Sequence, residues 1–235
     1  MCIGSYVSDV VEGPGYLFIE DAIPEDLIDS INSKLDTLYP VRATSSGKRY
    51  EERDSISKLT DISYWWSQLV MDWPEVKAIN DILLPKVSEH LDNTVWYTSD
   101  IITINGNTNL VNPDVDTPHR FDKWNTDERL LGVQVIVALQ DTTPEMGATG
   151  YVPNSHEPDW DINLCYNSAY NKYFWDFHEQ LFMPKGSVLM YNCRLLHSSM
   201  PNYLPEPRPM LLLNYLNGDI VEDVKKIDNI WSSNG

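Results

Sequence analysis

Cysteine is scarce in this chain. Cys2, Cys165 and Cys193 are an odd set of three with no Cys-x-x-Cys spacing. That rules out a disulfide scaffold and a thiolate zinc cluster, and it fits a reducing compartment. Basic residues are also few, 17 Lys and Arg against 35 Asp and Glu, for a net charge of −18. A surface of that sign repels a phosphate backbone and anionic lipid, so nucleic-acid and membrane partners are not expected. No window is apolar for the length of a bilayer span. The first residues, Met1 to Tyr16, lack a basic start followed by an apolar run, so a cytoplasmic location is expected. Internal repeats and low-complexity tracts are absent.

What the chain does have is a globular composition. Eight tryptophans, thirteen tyrosines and a hydrophobic fraction of 42% in 235 residues argue for one folded domain, residues 1–235, with a sizeable core. Ile28, Ile31, Leu35 and Leu38 recur at helical spacing behind Pro24, which predicts an amphipathic helix over Pro24–Leu38. Ile62–Leu69 and Pro74–Leu91 also read as helical. From Thr94 the pattern becomes β-type, with runs at 94–98, 101–104, 149–153, 187–191 and 209–216. The strongest strand is Leu130–Gln140, apolar almost throughout, as expected of a strand covered on both faces. The tail from Ile220 reads as polar. A helical flank (about 20–92) followed by a β core (about 94–217) predicts a mainly β fold with flanking helices, a sandwich or jelly roll rather than alternating βα units. The polar segment 42–54 and the aromatic-rich insert 159–182 are candidate lids.

There are only five histidines, so each can be weighed. His90 lies in a charged helical run and reads as a surface residue; His178 sits among aromatics and reads as packed. His119 is in a loop before the strongest strand, and His197 follows a strand. Arg208 comes eleven residues later and enters the last strand. Two histidines and a carboxylate leave open positions on a ferrous ion, the arrangement a non-haem oxygenase needs. An arginine fork matches a carboxylate bidentately; the alternative for Arg208 is a surface pair with Glu206.

The run Gly147-Ala148-Thr149-Gly150-Tyr151-Val152-Pro153-Asn154-Ser155-His156 resembles the Gly-Ala-Leu-x-x-Val-Pro-Gly-Ser-His signature of the phytanoyl-CoA dioxygenase-like family. Val135 to Met146 is similar to the strand and turn that precede it there. Lys185–Leu189 with Arg194–Ser198 resembles the family's distal-histidine segment, and Gly15–Pro24 resembles its opening. The resemblance covers nearly the whole chain in consistent order. It implies a double-stranded β-helix (jelly roll, cupin-like) core and an Fe(II)- and 2-oxoglutarate-dependent dioxygenase. Such an enzyme hydroxylates a small organic substrate with O2 and releases succinate and CO2. It implies that His119 and His197 are iron ligands, that Arg208 binds the far carboxylate of 2-oxoglutarate, and that His156 is structural. Gln134, and with it Tyr97 or Thr103, could line the pocket.

One departure stands out. The family carries His-x-Asp or His-x-Glu, whereas the second residue after His119 is Phe121, and the next carboxylate is Asp122. Asp122 is the expected third ligand, reached through a bulged loop. A halogenase lacking the carboxylate and a non-catalytic binding protein stay open as alternatives.

Overall fold

The computed structural model describes residues 10, 13–38, 65–104, 106, 113–116, 118–119, 123–124, 127, 129–157 and 174–233. The segment 42–54, most of the aromatic insert, Phe121 and Asp122 lie outside the described residues.

Helix α1 (Glu25–Leu38) forms where its periodicity predicts. Pro24 fixes the entry, and its carbonyl accepts from the Leu27 and Ile28 amides. Ile28, Ile31 and Leu35 are fully buried. Helix α2 (Pro74–Val87) begins on a proline and buries Val76, Ile79, Leu83 and Val87. It stops short of the expected Leu91: after Val87 the chain passes into turns closed by the Glu89–Lys86 and His90–Val87 backbone bonds.

Among the described residues, nine strands are interleaved with the helices. β1 (Tyr16–Ile19), β2 (Trp65–Leu69), β3 (Thr94–Ile104), β4 (Gly132–Ala138), β7 (Val188–Asn192) and β9 (Arg208–Asn217) build one sheet in the order β1-β7-β4-β9-β3-β2. All of its pairings are antiparallel. β5 (Gly150–Tyr151), β6 (Glu179–Gln180) and β8 (His197–Ser198) form a second antiparallel sheet, β6-β5-β8. Every residue of β4 is buried, as a doubly covered strand requires.

Alternation along the strands divides the core in two. Val133, Val135 and Val137 of β4 face the helices with Leu211, Leu213 and Tyr215 of β9, packing on Ile28, Ile79 and Leu83. The intervening residues, Ile136 and Ala138 with Met210, Leu189 and Tyr191, face the small sheet and pack on Tyr151. Helix α3 (Gly218–Ser233) covers one end through Ile220, Val221 and Val224, which meet Trp124, Leu131 and Leu216.

Three expectations are corrected here. Trp65–Leu69 is a strand, not a helix, and pairs with the end of β3. The "polar" tail is helix α3, whose buried positions 220, 221 and 224 are helically spaced. The runs at 94–98 and 101–104 are one strand with an irregularity between Trp96 and Thr98. Tyr97 packs with Val95 against the α3 cluster. Thr103 pairs with Pro209, one register position from Arg208, and so lies on the opposite face of the sheet. Thr103 therefore does not line the space between the sheets.

Gly147 shows how the signature run is bound to its backbone. It has φ +78°, and a Cβ there would lie 2.3 Å from the Met200 carbonyl. His156 is buried over Gly15, where a Cβ would come within 2.5 Å of its Nδ1. Its part is therefore packing, as the resemblance implied.

Candidate functional site

The space between the sheets is lined by alternate residues of β4, β7 and β9, and three of the expected residues turn their polar atoms toward buried surroundings. Arg208 opens β9 and has no exposed surface. Its Nη1 contacts the Met210 sulfur, and among the described residues its Nε and Nη2 have no hydrogen-bond partner. The expected alternative, a surface pair with Glu206, does not form; the Glu206 carbonyl instead accepts from Asn202 Nδ2 at 2.8 Å. Burial pushes the Arg208 guanidinium down to about 9, with no opposing charge to hold it up. A buried cation left in this state costs several kcal/mol until an anion meets it. A carboxylate is the group that satisfies both idle nitrogens at once.

His197 sits on β8, opposite Tyr151. Its backbone exchanges two hydrogen bonds with Asp114, at 2.9 and 3.0 Å, which clamps the segment 114–116 against β8. Its Nδ1 lies 3.0 Å from the Leu195 carbonyl, so Nδ1–H donates there and the Nε2 lone pair points away. Nε2 faces Asp116 Oδ2 at 3.5 Å, and the same oxygen accepts from the Tyr191 hydroxyl at 3.0 Å.

His119 repeats the arrangement. Its Nδ1 lies 3.1 Å from the Trp124 carbonyl, while Nε2 is buried with no partner among the described residues. Burial pushes its pKa down to about 4; Arg194 lowers it further, and the Trp124 carbonyl and Asp127 oppose the shift. The ring is therefore neutral at neutral pH, the form that binds a metal. In both histidines a backbone carbonyl takes the Nδ1 proton and sets the tautomer, as is usual for metal-bound imidazole.

Among the described residues no three His, Cys, Asp or Glu side chains stand together in ligand geometry. The pair that does meet is His197 with Asp116, and His119 is not gathered with them. Gln134 lies on the inner face, level with Tyr191 and Asn214. Its Oε1 accepts from Asn214 Nδ2 at 2.8 Å, and Asn214 Oδ1 is buried without a partner. Asp116, Tyr191 and Asn214 went unnoticed in the sequence. For Asp116 a signal existed: Asp114-Val115-Asp116 puts two carboxylates on one face of any extended segment.

His197 with Asp116, and the buried guanidinium of Arg208, make a partial donor set for a divalent metal with a dicarboxylate beside it, to which His119 would have to be added. Solved structures share the fold. HygX from Streptomyces hygroscopicus, with nickel and 2-oxoglutarate bound, superposes with a TM-score of 0.64 at 16% identity, over 89% of this chain and 85% of that one. AviO1 from Streptomyces viridochromogenes Tue57 gives 0.57 at 17% identity, over 88% and 91%. EctD from S. alaskensis, with 2-oxoglutarate and 5-hydroxyectoine, gives 0.60 at 18%, over 86% and 72%. No curated protein matches the chain. No helix among the described residues is long and apolar enough to cross a membrane. The phytanoyl-CoA dioxygenase (PhyH) family profile matches residues 11–210, most of the chain, and the protein belongs to that family.

Proposed function

We propose that the protein is an Fe(II)- and 2-oxoglutarate-dependent dioxygenase that hydroxylates a small organic substrate within a double-stranded β-helix core. The observation that carries the reading is Arg208, a fully buried guanidinium whose Nε and Nη2 have no partner among the described residues. Family membership supports it, as do like-folded proteins solved with iron or with 2-oxoglutarate.

In this reading Arg208 binds the far carboxylate of 2-oxoglutarate through its two idle nitrogens and sets the co-substrate's direction. His197 would hold the metal through Nε2, with His119 as the second imidazole and a carboxylate from the segment around His119 completing the set. Iron, when bound, supplies oxygen activation coupled to decarboxylation of 2-oxoglutarate. The Leu195 and Trp124 carbonyls keep both imidazoles in the ligating tautomer. Ile136, Leu189 and Met210 keep water from the inner face. Gln134, bridged to Asn214, is a polar group on that face able to orient a ligand. The acidic surface disfavours polyanionic substrates.

Anaerobic titration with Fe(II) and 2-oxoglutarate tests the proposal. The expected result is a weak visible charge-transfer band together with a raised Tm. No band and an unchanged Tm would leave the non-catalytic binding protein as the reading.

A further inference from the structure

We infer that Asp116, rather than Asp122, is the carboxylate of the metal site, working beside His197. The inference rests on the oxygenase reading above and changes the order of its ligands. The carboxylate comes three residues before His119, where the sequence pattern looks for it after.

Asp116 is held where a ligand is needed by three independent contacts. The Asp114–His197 backbone bridge fixes the segment against β8. The Asp116 amide donates to the Cys193 carbonyl at 2.8 Å, which extends that attachment to the turn preceding His197. The Tyr191 hydroxyl, reaching from the large sheet, fixes the rotation of the carboxylate by donating to Oδ2 at 3.0 Å. The result is Oδ2 and His197 Nε2 facing one another at 3.5 Å. Two ligands about 2.1 Å from one ion and a right angle apart stand about 3 Å from each other, so a small contraction would bring both onto a shared metal.

Asp114 shares the face but is turned back on its own backbone, with Oδ1 accepting from the Val115 amide at 2.8 Å. A simple Asp–His ion pair is the competing account. The metal titrations of the Asp116 variants separate the two accounts, because an ion pair alone gives no metal site to lose.

Anaerobic Fe(II) and Co(II) titrations of the full chain with 2-oxoglutarate decide the matter, with circular dichroism as a check of folding. Asp116→Asn is expected to weaken metal affinity by about 100-fold or more, and Asp122→Asn to leave it within about threefold. Asp116→Glu keeps a carboxylate and should still bind, but with a changed Co(II) d–d spectrum. It decides the case should Asp116→Asn not fold. Loss of binding in Asp122→Asn with Asp116→Asn unaffected overturns the inference. So does an Asp116→Glu spectrum and affinity equal to wild type. A wild-type chain that binds neither metal nor 2-oxoglutarate overturns the oxygenase reading along with it. Tight binding by both wild type and Asp116→Asn overturns the ligand assignment alone.

Discussion

The two faces of the large sheet are built by the same strands and behave oppositely. On the helix side, Val133, Val135 and Val137 alternate into a layer with Leu211 and Leu213 that is almost wholly apolar. A buried polar contact there, Tyr215 hydroxyl to Asn80 Oδ1 at 3.0 Å, is satisfied. On the other side, the neighbouring residues Gln134, Asn214, Tyr191 and Arg208 put polar atoms into an equally buried space, and several of those atoms have no partner. Unpaired buried polar atoms are costly, and a fold keeps them where something else completes them. The first face holds the protein together. The second is held ready for a ligand.

That contrast can be broken from either side. The largest effect is expected for Arg208→Leu, which should cost about 2–5 kcal/mol of 2-oxoglutarate binding, some 30-fold to several thousand-fold in affinity. The ligand-free variant should be no less stable than wild type, because an uncompensated buried charge has been replaced by an apolar side chain. Calorimetric titration and thermal melts read the two halves separately. Leu213→Ala should do the reverse: it loses about 3 kcal/mol of stability by chemical denaturation and leaves the 2-oxoglutarate affinity unchanged under folding conditions.

The pH dependence follows from Arg208. Its folded value of about 9 lies well below the ordinary value of a guanidinium, so the ligand-free protein carries the burial cost in full below pH 9 and sheds it as pH rises above about 9. Dicarboxylate binding runs the other way: full below pH 9, it should then weaken by about tenfold per pH unit, because the guanidinium must recover a proton to bind. The increase in Tm with 2-oxoglutarate across pH 7–10 measures this, and an increase that stays flat to pH 10 would put the anion elsewhere. The smallest effect is expected from Asn214→Ala. Losing its hydrogen bond to Gln134 should cost about 1 kcal/mol of stability, offset in part because the unpaired Asn214 Oδ1 goes with it.

Legibility differed from segment to segment. Helix α1 and strand β4 were readable because their periodicity and apolar content match their burial. Strand β2 was misread as helix; its pairing with β3 is a long-range contact that no local window contains. Helix α3 was missed for another reason: its apolar stripe is thin among acidic and basic residues, and only Trp124, Leu131 and Leu216 make it a packed face. At the site, His197 and Arg208 stood out by spacing and residue type. Asp116 did not, because its importance depends on what lies opposite it.

The sequence by itself determined the family, the mainly β class with flanking helices, and two of the residues on which the functional reading rests, since composition, alternation and short motifs are local properties of the chain. The tertiary structure alone decided that Arg208 is buried without an anion rather than paired with Glu206. It also brought Asp116 to His197 across about eighty residues of sequence, through backbone hydrogen bonds between segments that are neighbours only once the sheets have formed. Which groups meet, and which are left without a partner, is a property of packing. One chain read in order does not contain it.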